Sequence, residues 1–90
     1  MQSSRTILTT FFSLIADDQR LQAAIAPVKK RLQRLDLRKK NARITLWNIL
    51  QQLKAIESPM SDAIDGLMVD LAGKWINTLG KALRENKISK

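Results

Sequence analysis

The sequence predicts an all-α protein, a small bundle of three to four helices forming one domain over residues 1–90. Apolar residues are 44% of the chain, enough for a single core and too many for a disordered tail. They recur at helical spacing along most of its length, and no segment alternates as a strand does. A core this small rarely leaves more than a few kcal/mol of net stability. Association of copies is an easy remedy, so a homodimer or other homo-oligomer is expected.

The first helix is expected over about residues 4–16. Ser3 or Ser4 can cap it, and Ile7, Leu8, Phe11, Phe12, Leu14 and Ile15 follow at helical spacing. A second helix is expected over 18–26. Asp17 and Asp18 open it, because their carboxylates meet unpaired backbone N–H groups there. From that point Leu21, Ile25, Val28, Leu32 and Leu35 step as a heptad seam, which suits a helix–helix interface.

Pro27 interrupts the seam. A proline inside a helix loses one hydrogen bond and clashes with the preceding turn, at about 3 kcal/mol. The helix either kinks there or ends near Ala26, with Pro27 in the first turn of the next helix. The break is the preferred reading. The third helix then spans about 27–40, or runs on to 57 with Ile44, Trp47, Leu50, Leu53 and Ile56 on its apolar face.

Ser58-Pro59-Met60 is a turn, because the residue before proline disfavours the α region. Ser61 or Asp62 is expected to cap a last helix over 62–86, with the final few residues frayed. Ile64, Met68, Leu71, Ala72, Trp75, Ile76, Leu79, Ala82 and Leu83 fill one broad face of it. Gly66, Gly73 and Gly80 recur along its border, and each mid-helix glycine costs roughly 1 kcal/mol relative to alanine. They suggest a stripe where another helix comes close. Tolerance of glycine at solvated positions is an equally good explanation.

Chemistry is mostly excluded by what is missing. With no cysteine there is no disulfide or thiolate, and with no histidine the commonest metal ligand is gone. The carboxylates fall at helix starts or on solvated faces, and no glycine-rich phosphate loop is present. No catalytic residue, cofactor or metal site is expected, so the chain reads as a binding protein rather than an enzyme. The apolar stretches fall short of the roughly 20 residues a membrane span requires. Arg5 followed by Ile7 to Ile15 is too interrupted for a signal peptide, which points to a cytoplasmic protein.

The net charge of +8 is concentrated. Residues 29–43 carry Lys29, Lys30, Arg31, Arg34, Arg38, Lys39, Lys40 and Arg43 against Asp36 alone, a net +7. On a helical wheel Lys30, Arg31, Arg34 and Arg38 form one arc, and Lys29, Lys40 and Arg43 flank the other side of the seam. Such a helix suits a nucleic-acid backbone, whose binding is driven by counterion release, with about six to eight phosphate contacts conceivable. A charge run is more often a solvated face, though one this dense is less easily dismissed.

The aromatic residues fall on apolar faces, so binding should be backbone-directed and weakly sequence-specific. The main alternative is a helical protein-interaction module docking the same cations on an acidic protein surface. A third reading lays the amphipathic last helix on a membrane surface, although a bundle would bury the same arc.

Overall fold

A computed structural model describes residues 4–85, with the backbone alone at Leu83. Among the described residues the chain is helical with no strand, so the protein is all-α. The expected fraying at the C-terminus lies outside the described residues. The helices are shorter and more numerous than the three to four expected: α1 (Ser4–Ile15), α2 (Gln19–Ile25), α3 (Lys29–Gln33), α4 (Lys40–Lys54), α5 (Ser61–Lys74) and α6 (Ile76–Arg84).

Helix α1 buries Ile7, Leu8, Phe11 and Ile15, which share one face at the 3.6-residue period. Its first residue is tied to a distant loop, since Ser4 Oγ accepts a hydrogen bond from the Leu37 N–H at 2.7 Å. Asp18 is the N-cap of α2. Its Oδ1 accepts from the N–H groups of Arg20 and Leu21 at 3.0 and 3.1 Å, a cap worth about 1 kcal/mol.

The expected break is present: α2 ends at Ile25, and Pro27 stands in the first turn of the helical segment that follows. Residues Ala26–Val28 form one 3-10 turn between α2 and α3. Pro27 has no N–H to give the helical ladder, and the chain tightens around it, with Ala26 N–H reaching Ala23 O and Lys29 N–H reaching Ala26 O.

The long third helix is the largest departure from expectation. Helix α3 ends at Gln33, and residues 34–39 form a loop before α4 begins at Lys40. Two local features account for this. Asp36 makes an alternative backbone arrangement, its Oδ1 accepting from the Arg38 N–H at 3.1 Å and its carbonyl from the Lys39 N–H at 2.9 Å. Leu37 is buried to 3% exposure, whereas a continuing helix would place it about 200° around from Leu35. Breaking the helix lets Leu37 turn inward.

Helix α4 is the central element, packing on both α5 and α6. It buries Ile44, Leu46, Leu50 and Leu53, and Trp47 packs half-buried against the same core. Leu46 is absent from the apolar positions expected for this segment, yet it stands four residues before Leu50 and seven before Leu53 on the same buried face. A Leu→Ala change at a site this enclosed costs about 2–5 kcal/mol.

The Ser58–Met60 turn is held by its own hydroxyls: Ser58 Oγ accepts from the Met60 N–H, and Ser61 Oγ donates to the Ile56 carbonyl. With Ser61 occupied in this way, the N-cap position of α5 is Met60, which supplies no side-chain cap, and neither Ser61 nor Asp62 occupies it. Helix α5 buries Ile64, Met68 and Leu71.

The last helix does not run unbroken over 62–86. Trp75 adopts φ −111° and ψ 27° and separates α5 from α6. The bend comes two residues after Gly73, where helix propensity is weak. It sets α6 against α4, with Trp75, Thr78, Leu79 and Ala82 buried.

Candidate polyanion-binding surface

The cationic segment 29–43 divides at the end of α3. Leu32 is fully buried and faces the core, which turns Lys29, Lys30 and Arg31 outward. Arg34, the C-cap residue, is also exposed. Among the described residues none of these four cations has a carboxylate within 4.0 Å. Six residues of helix span about 8 Å, so four positive charges are crowded over little more than one turn and a half.

Beyond Gln33 the same residue types do something else. Arg38 grips Asp36 through two hydrogen bonds, Nε to Oδ1 at 2.9 Å and Nη2 to Oδ2 at 3.1 Å. Those bonds hold the Asp36 carboxyl below its ordinary value of 3.8 and raise the Arg38 guanidinium, with the Lys39 charge adding to the effect on Asp36. Lys39 is exposed and has no ion pair among the described residues. Lys40 lies 4.0 Å from Glu85 of the C-terminal end.

Arg43 turns inward. Its Nε–H donates to the Leu37 carbonyl, its Nη1 donates to Thr78 Oγ1 at 3.0 Å, and its guanidinium carbon lies 5.9 Å from the Trp75 ring centroid. It is half-buried. The continuous cationic arc expected on one helix therefore does not form. The helix carrying it ends at Gln33, Arg38 is neutralised locally, and Arg43 braces the fold.

The seam residues are accounted for within the chain. Leu21, Ile25 and Leu32 are buried in its own core, and Val28 and Leu35 pack half-buried against them. The seam needs no second copy to cover it. The glycine stripe is also not a close approach inside the molecule: a Cβ at Gly66, Gly73 or Gly80 would meet nothing within 4 Å. Beside that stripe Val69 and Ile76 are 67% and 68% exposed.

Two cations that sequence reasoning passed over join the picture. Arg5 of α1 and Lys74 of α5 line the same open cleft as Arg38 and Arg43. They are separated by much of the chain, and nothing in the local sequence of either one marks it. Arg31 borders a second, apolar groove between the 3-10 turn and α4, which also contains Asn48. The described residues contain no group of acidic side chains able to hold a metal ion and no helix long and apolar enough to cross a membrane. Compared with family models, curated proteins and solved structures, the chain matches none of them.

Proposed function

We propose that the protein is a non-catalytic binder of nucleic acid, gripping the phosphate backbone through Lys29, Lys30, Arg31 and Arg34, with Lys39 beside them. The observation that carries this reading is the absence of any ion pair on these exposed cations among the described residues. Uncompensated charges this close repel one another, and a polyanion relieves that repulsion while releasing its own counterions. Base readout has no support: Phe11 is fully buried, Trp75 nearly so, and Phe12 and Trp47 pack against the core.

Four or five phosphate contacts give a log–log salt slope of about −4 on duplex DNA. The test is binding of a labelled duplex and of an RNA hairpin between about 50 and 200 mM salt. The Lys30→Gln, Arg31→Gln, Arg34→Gln variant should lose affinity for all sequences alike and flatten the slope by about 2.5. No binding at the low-salt end, or an unaltered slope in the variant, rejects the reading.

A second reading, a protein-interaction module, is favoured by one observation of its own. Val69 and Ile76 stand exposed on a face kept thin by Gly66 and Gly73, the shape a partner helix would fit. An acidic partner surface would then take the cations. Nuclease-insensitive co-purification of one protein, lost in Val69→Asp, separates this reading from the first. The membrane-surface reading loses its support, since Ile64, Met68, Leu71, Trp75 and Leu79 of the amphipathic arc are buried in the core.

A further inference from the structure

We infer that the cleft between the start of α1, the 34–39 loop and the α5–α6 junction is a binding site for a phosphate monoester. This does not rest on the polyanion reading, because none of Lys29, Lys30, Arg31 and Arg34 lines the cleft.

Arg43 is the central group. A guanidinium has five N–H donors, and two of these are directed to the Leu37 carbonyl and the Thr78 hydroxyl. Three donors are left on a half-buried cation that has no carboxylate within 4.0 Å among the described residues. The two hydrogen bonds and the Trp75 ring fix its plane, so an incoming oxyanion meets a fork already in place.

Charge favours a dianion over a carboxylate. The lining carries Arg5, Arg38, Arg43 and Lys74 against Asp36 alone, a balance of +3. Asp70, which holds Lys74 at 3.0 Å, brings the local balance nearer to +2. A phosphate monoester, with its second ionisation near pH 6, matches that charge at neutral pH.

Size and polarity say that the phosphate brings a body with it. The cleft encloses about 850 Å³, within the range of small-molecule sites and far larger than an inorganic ion needs. Its remaining walls include the apolar side chains of Ile7, Leu35, Leu37 and Trp75. The guanidinium would take the phosphoryl oxygens while the ester's carbon or base portion lies on these walls.

Trp75 lines the cleft, so its fluorescence can report occupancy once the other indole is removed by Trp47→Phe. That variant is titrated with adenosine 5′-monophosphate, hexyl phosphate and adenosine. Saturable changes with the two phosphates and none with adenosine are expected. Arg43→Gln should weaken binding at least about tenfold and Arg5→Gln several-fold, roughly what loss of one charge-assisted contact gives. The Lys30→Gln, Arg31→Gln, Arg34→Gln variant should bind the monophosphate unchanged, which keeps this test separate from that of the nucleic-acid reading.

Oligonucleotides with and without a 5′-phosphate identify the source. Competition by the phosphorylated chain alone assigns the site to nucleic-acid ends, and its failure beside a binding mononucleotide assigns it to a free ester. No saturable response to either phosphate, an equal response to adenosine, or indifference to Arg5→Gln in a chain with an unaltered melting curve overturns the proposal. Should Arg43→Gln fail to fold, the Arg5→Gln result decides.

Discussion

The two halves of the cationic segment have nearly the same composition and different surroundings. Lys29, Lys30 and Arg31 lie in a short helix with one buried anchor, Leu32, Arg34 stands at its C-cap, and none of the four has an ion pair among the described residues. Arg38 lies in, and Lys40 and Arg43 follow, a loop whose anchor, Leu37, is buried, and these cations reach two carboxylates, a carbonyl and a hydroxyl. Charge density alone does not distinguish a docking surface from a brace. The distinction comes from what the backbone places beside each cation.

The sharpest way to break this comparison is at the anchor of the second half. Leu37→Ala should destabilise the fold by about 3 kcal/mol in urea denaturation, the usual scale for a buried leucine. Its loop should then release Arg43 into solvent, and the two halves would become more alike. A change under about 1 kcal/mol would mean that Leu37 does not hold the loop.

Arg43→Gln should come next, at about 2 kcal/mol, because two distant elements lose a shared donor and Thr78 is left buried without it. The Lys30→Gln, Arg31→Gln, Arg34→Gln variant belongs at the other extreme. Its stability should stay within about 0.5 kcal/mol of the parent, or rise slightly as repulsion is relieved. Equal losses in these two variants would erase the distinction between brace and surface.

The smallest effect concerns Asp36. Its folded carboxyl sits below the ordinary value, so its stabilising contribution is present above that range and is lost as pH falls below 3.8. Asp36→Asn removes the titrating group, so the drop in melting temperature between pH 7 and about pH 3 should be slightly smaller in the variant than in the parent. A larger drop in the variant would contradict the pairing with Arg38.

The all-α class was legible because helical periodicity runs through most of the chain. So was the opening of α2 at Asp18, since a carboxylate before an apolar repeat has a direct backbone reason to cap. The loop at 34–39 was not legible. Lys, Arg and Leu are good helix formers there, and only the burial of Leu37 and the turn at Asp36 outweigh them. Leu46 was overlooked although its spacing of four and seven residues from Leu50 and Leu53 puts it on their buried face. The bend at Trp75 preserves the apolar spacing across it, so no pattern of residues betrays it.

Of the candidate site, the charge concentration was visible and the division within it was not. The partners of Arg43 lie on residues 37 and 78, and no local pattern announces a contact across that distance. Arg5 and Lys74 reach the cleft for tertiary reasons alone.

Because one side chain clamps the 34–39 loop to α6, and Ser4 clamps the same loop to α1, the two ends of the described chain are fastened through its middle. Such cross-ties make opening cooperative, so a short terminal helix that would otherwise fray borrows protection from the loop. Amide exchange at Leu37 and Leu79 should accordingly slow and quicken together. Cutting the tie at Arg43 should let α6 exchange on its own while the α4–α5 pair stays closed.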